Sequence, residues 1–139
     1  MMDIVIENRQ KALRVPIPAF RRLVRDLAAK AKVDLGEVTV ILVDDAGIAP
    51  INEAAVGHQG ATDVITMPCD AVPGVPASAE IVIDAEMALS QRPEDPLLEL
   101  SFYLAHAFDH LAGHDDSTPA SRTSMHRREW RWLRSLERL

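Results

Sequence analysis

Cysteine is almost missing from this chain: among 139 residues only Cys69 carries a thiol, so no intramolecular disulfide can brace the fold. That usage suits a reducing cytosol. No apolar run is long enough to span a bilayer, and the first ten residues lack the apolar core of a signal peptide. The expectation is a soluble, cytoplasmic protein with no membrane partner. Internal repeats and domain boundaries are absent too, which points to one compact domain over residues 1–139, a length that can bury a sizeable core. Hydrophobic residues at 47% and charged residues at 26% exclude a disordered chain.

Basic residues are scarce in the middle. From Val33 to Ser121 a single Arg92 stands against sixteen aspartates and glutamates. Residues 1–32 hold eight Lys and Arg against three acids, and residues 122–139 hold six arginines against two glutamates, for a net charge of −6. Two basic segments thus flank an acidic centre. Basic faces of this kind can grip a phosphate backbone, although solvated helix faces would give the same counts.

What is present reads as strands mixed with helices, hence an α/β (α+β) domain with a small mixed four-stranded sheet. Strands are expected at Asp3–Asn8, Glu37–Val43, Thr62–Met67 and Ile81–Asp84. Glu37–Val43 is apolar on both faces and reads as a central strand. Ile17 to Ala31 carries the stripe Ile17, Phe20, Leu23, Val24, Leu27, Ala28 and Ala31, which is helical in period. A short helix is expected from Ile48 to Ala55, and Pro68 to Ser78 reads as a surface loop. Asp95-Pro96 signals the start of a long helix, and Thr118-Pro119 the start of the last one, with Met125, Trp132, Leu133 and Leu136 inward.

The long helix ends in His106-Ala107-Phe108-Asp109-His110-Leu111-Ala112-Gly113-His114-Asp115-Asp116. A spacing of four puts His106 and His110 one turn apart on one helix face. Gly113 can end the helix in a left-handed conformation. Two imidazoles and a carboxylate make an ordinary set of ligands for one Zn²⁺, leaving a fourth position for water, whose pKa can then fall to about 7. Asp116 is favoured as third ligand over His114, which continues the spacing only if the helix ignores Gly113, and over Asp115. An aspartate there lowers the site's charge and should polarise water less than a third histidine. The competing reading has His106 and His110 merely hydrogen-bonded, with Asp109 and Asp116 in solvent.

These residues resemble a known family. The chain looks like the YbeY family of metal-dependent endoribonucleases, whose motif runs His-Gly-x-Leu-His-Leu-x-Gly-Tyr-Asp-His. The upstream block Ile51-Asn52…Thr62-Asp63-Val64-Ile65-Thr66-Met67-Pro68 is similar to the family's Leu-Asn…Thr-Asp-Val-Leu-Ser-Phe-Pro. Ala79-Glu80-Ile81-Val82-Ile83 and the pair Met125, Glu129 match its next strand and its C-terminal block. The departures are Ala107 for glycine, His114 for tyrosine, Asp116 for the third histidine, and Val56 where the family has a pocket arginine. Arg92 or Arg122 could stand in for that arginine. The resemblance implies a single-domain fold, one metal ion held by His106, His110 and Asp116, and hydrolysis of single-stranded RNA in a groove between the metal helix and the Thr62–Met67 strand. It further implies ribosomal RNA or a ribosomal subunit as partner, and not DNA.

Other residues have two readings each. Asp63 could fix a metal histidine's tautomer or take part in catalysis, or it could cap a turn. His114 could donate a proton, or be an exposed turn residue. Asn52 is read as structural, and Glu129 as paired with arginines along its helix. Trp130 and Trp132 could stack bases, with Trp132 more at home in the core. His58 carries no assignment. Two rival functions remain: a non-catalytic RNA- or ribosome-binding protein with a structural zinc, and a zincin-like peptidase, which lacks its glutamate because Ala107 occupies that place.

Overall fold

The computed structural model describes residues 2–57, 60 and 62–139, so His58 lies outside the described residues. The elements in order are β1 (Asp3–Asn8), α1 (Ile17–Ala31), β2 (Glu37–Val43), α2 (Asp45–Val56), β3 (Val64–Cys69), β4 (Ser78–Asp84), α3 (Ala85–Gln91), α4 (Pro96–Leu111) and α5 (Pro119–Arg134). They form the expected small mixed sheet, in the order β1-β2-β4-β3. β1, β2 and β4 are parallel, and β3 runs antiparallel to β4 at one edge.

β2 is central because both of its faces are apolar. Val38, Val40 and Leu42 join Ala79, Ile81 and Ile83 of β4 in the main core. The alternate residue Val43 turns to the other face, where Val82 and Ile65 meet Ile48 of α2. This is the two-residue period of a strand covered on both sides. α1 buries Phe20, Leu23, Val24, Leu27 and Ala28 on the same main core.

α4 carries the residues of interest and is the best anchored helix. Asp95 accepts a hydrogen bond from the Leu98 N–H at 3.3 Å, as an N-cap should. Leu100, Leu104, Ala105, Ala107 and Phe108 are buried, each large side chain contributing about 1.5–3 kcal/mol. The helix packs against α1, α3 and α5 and over β3 and β4. α5 opens with a capping box between Thr118 and Ser121.

Some boundaries differ from expectation. α2 begins at Asp45 rather than Ile48, because Asp44 accepts from the Gly47 N–H at 2.7 Å and caps the helix. β4 begins at Ser78, three residues before Ile81, since Ser78, Ala79 and Glu80 pair with Cys69, Pro68 and Met67. β3 correspondingly runs on to Cys69. α3 was not anticipated: Asp84 ends β4 and at once caps a new helix through the Met87 N–H at 3.1 Å. Among the described residues no helix is long and apolar enough to cross a membrane.

Candidate metal centre

His106 and His110 lie on the last turns of α4, and Gly113, at φ 98°, turns the chain back beyond them. The turn brings Asp116 against both rings. His106 Nε2 is 3.1 Å from His110 Nε2. Asp116 Oδ2 is 3.4 Å from His106 Nε2 and 3.7 Å from His110 Nε2. Donors on a tetrahedron about a zinc ion, at about 2.0–2.1 Å from it, stand roughly 3.3–3.4 Å apart. The three observed separations bracket that edge length. This is the only such group of three among the described residues. His114 and Asp115, the other candidates for third ligand, are not part of it.

The other nitrogen of each ring is already engaged. His110 Nδ1 is 3.0 Å from the His114 carbonyl oxygen. A carbonyl only accepts, so Nδ1 carries the hydrogen and Nε2 turns a lone pair to the shared point. His106 Nδ1 is 2.9 Å from Glu129 Oε2. Two Nε2 atoms at 3.1 Å, with a carboxylate beside them, need a proton or a cation between them. The donor set therefore fits a metal ion.

Glu129 corrects the expectation of arginine pairing along α5: its side chain is 1% exposed and faces α4. Burial alone would push the His106 imidazole down, but the bond to Glu129 and the charges of Glu129, Asp63 and Asp116 hold it above its ordinary value. Burial pushes the Glu129 carboxyl up, the His106 bond opposes this, and the neighbouring Asp109 carboxyl raises it further. Asp109 is itself fully buried rather than solvated. Its Oδ1 accepts from Arg128 Nε at 2.8 Å and pairs with His114 Nδ1 at 2.9 Å. Met125 and Glu129, four residues apart, share the buried face of α5. That spacing was visible in the sequence; the partner in α4 was not.

Two cavities flank the centre and share Asp63, His106 and Asp116. One, of about 390 Å³, lies between α4 and β3, where the groove was expected. The other, of about 350 Å³, opens toward α5 and reaches Arg92, Arg122 and His126. His126, on the exposed side of α5, stacks 6.5 Å from the His106 ring. Arg122 also donates to the Asp116 carbonyl at 3.2 Å, steadying the turn. Asp63 accepts from the N–H of its neighbour Val64 at 2.7 Å, and among the described residues it is not the hydrogen-bond partner of a ring nitrogen. Asn52 is buried, and its amide donates to the Gly60 carbonyl at 3.1 Å. Ala107 is wholly buried in the core, which leaves no general base at the position a zincin needs.

The model of the family described as Endoribonuclease YbeY matches residues 5–137. The chain belongs to the YbeY family. A curated relative from Rhodopirellula baltica, named Endoribonuclease YbeY, is 38% identical over 107 residues, covering 73% of this chain and 55% of its own length. The chain thus spans about half of that relative. Namesakes from Chlamydia felis and Chlamydia pneumoniae are 27% and 29% identical, each covering 92% of this chain and 87% of the relative. A protein from Thermotoga maritima with a known solution structure shares the fold, at TM-score 0.56 and 22% identity over 96% of this chain and 87% of its own.

Proposed function

We propose that this YbeY-family chain is a metal-dependent endoribonuclease, folded as one domain over residues 1–139, acting on ribosomal RNA with one zinc ion held by His106, His110 and Asp116. The observation carrying the reading is the triangle of donors at 3.1, 3.4 and 3.7 Å. Relatives named as endoribonucleases support the reaction class. A zinc ion bound there supplies a Lewis acid that brings a water molecule's pKa to about 7, and with it a nucleophile near neutral pH.

The chain's own residues do the rest. Glu129 and the His114 carbonyl hold the two rings in register. Asp63, which lines both cavities, is the carboxylate proposed to take a proton during attack. His114 is held by Asp109 and is proposed to steady the turn rather than to donate a proton. Arg92 and Arg122 offer positive charge to a phosphate, a role the family's arginine cannot fill where Val56 stands. The two cavities give a single strand a path past the centre.

The test is cleavage of a ribosomal RNA fragment by the zinc-loaded protein, with elemental analysis alongside. Cutting that is abolished by chelator and absent from His106→Ala is the expected result. RNA left intact by protein containing a full complement of zinc would overturn it. The replacement of the family's third histidine by Asp116 favours one alternative, an RNA-binding protein whose zinc is structural. It predicts RNA binding without metal-dependent cleavage.

A further inference from the structure

Trp130 is an oddity of α5. The helix buries Met125, Glu129, Trp132 and Leu133, and Trp132 serves the core as expected. Trp130, two residues earlier and therefore on another side of the helix, is 42% exposed. Its ring is backed by Phe102 of α4, stacked at 5.2 Å with 17° between planes. Around it lies a shallow groove of about 400 Å³. Arg92, Phe102 and His126 line both this groove and the cavity beside the metal centre, so the two adjoin. Arg127 lines the groove as well, and the Arg134 guanidinium lies 5.8 Å from the Trp130 centroid. Among the described residues neither Arg127 nor Arg134 makes an ion pair.

A stacked, exposed indole beside unpaired arginines, adjoining the cavity of the metal centre, is what a flexible polyanion with flat bases would use. We infer that Trp130 is a stacking platform for a base of single-stranded RNA, with Arg127 and Arg134 meeting the adjoining phosphates; this rests on the endoribonuclease reading above. Every base has a π-face, so the platform adds affinity without selecting sequence. Arg134, now over the ring, can give its place to a base and keep its charge near the strand. A duplex, whose bases are already stacked on one another, gains nothing from the platform.

The experiment measures binding of a labelled single-stranded oligouridylate of about twelve nucleotides by fluorescence anisotropy, in chelator so that no cleavage intervenes. Trp130→Leu should weaken binding at least about fivefold, while Trp130→Phe, which keeps a flat ring, stays near wild type. Binding of a duplex RNA should change little in either variant. Oligouridylate should quench the intrinsic tryptophan emission of the wild type, and Trp130→Phe, which leaves only the buried Trp132, should lose that quenching. Wild-type affinity in Trp130→Leu, equal loss for single strand and duplex, or no binding of the single strand by the wild type would each overturn the platform. Cleavage of the ribosomal RNA fragment by the zinc-loaded protein is scored separately. Trp130-dependent binding without cleavage sinks the nuclease reading alone, and cleavage with Trp130-independent binding sinks the platform alone.

Discussion

Glu129 Oε2 lies 2.9 Å from His106 Nδ1, the ring nitrogen that does not face Asp116. An anion at that distance fixes the hydrogen on Nδ1 and makes Nε2 a better donor. Glu129→Gln keeps the shape and removes the charge. Zinc affinity, measured by competition with a chromophoric chelator, should fall about 10–100-fold while the circular dichroism spectrum stays unchanged. An affinity within twofold of wild type would show that the contact does not serve the metal.

Asp116 is the ligand that the chain supplies by turning back on itself. Asp116→Ala leaves two nitrogens at the end of a helix, and its loss of affinity should exceed the roughly 10–100-fold expected for an outer partner such as Glu129. Asp116→His offers a neutral nitrogen in the same turn and should retain zinc. Elemental analysis after dialysis reads the result: wild type and Asp116→His metal-loaded, Asp116→Ala depleted. Full loading of Asp116→Ala would remove Asp116 from the site.

Much of this architecture was legible because it rests on local periodicity. Phe20, Leu23, Val24 and Leu27 declare α1, and the doubly apolar β2 declares its central place. The His106–His110 spacing and Gly113 outline the metal turn. α3 escaped notice because Asp84 ends a strand and starts a helix at the same residue. The start of β4 was hidden by Ser78, Ala79 and Glu80, small or polar residues that pair through their backbone. The partner of Glu129 is hidden from the sequence for a deeper reason. Helix periodicity places Glu129 on the buried face, but only the packing of α5 on α4 reveals that a histidine 23 residues earlier, His106, receives it.

Asp109 stands where the resembling motif has leucine, and His114 where it has tyrosine; the structure joins the two at 2.9 Å, with Arg128 on the same oxygen. Asp109→Ala would strand a guanidinium that is 21% exposed and free the histidine of the metal turn. Partial solvation of Arg128 limits the penalty, so the expected loss is about 2–3 kcal/mol in urea unfolding with chelator present. Asp109→Leu fills the space with apolar volume and should lose less. A change under about 0.5 kcal/mol for Asp109→Ala would show that the buried network contributes little to stability.

Asp84, wholly buried at the end of β4, gives a stability effect with a definite sign. Burial, then a hydrogen bond with the Asp45 carboxyl, pushes its pKa from 3.8 up to about 7. Below 3.8 both folded and unfolded chains hold the proton, and the group has no effect on stability. Between 3.8 and about 7 the folded chain binds the proton more tightly, so stability falls as pH rises, and the loss is complete above about 7. Asp84→Asn keeps an oxygen for the Met87 N–H and offers Asp45 a permanent donor. In urea unfolding with chelator present, the variant should match wild type near pH 4 and exceed it by roughly 2–4 kcal/mol at pH 8. Asp45 faces an amide in the variant and a carboxyl in the wild type, so the difference curve reports the Asp84–Asp45 pair as a unit. Parallel curves across that range would mean that the buried carboxyl ionises in the folded chain as it does in the unfolded one.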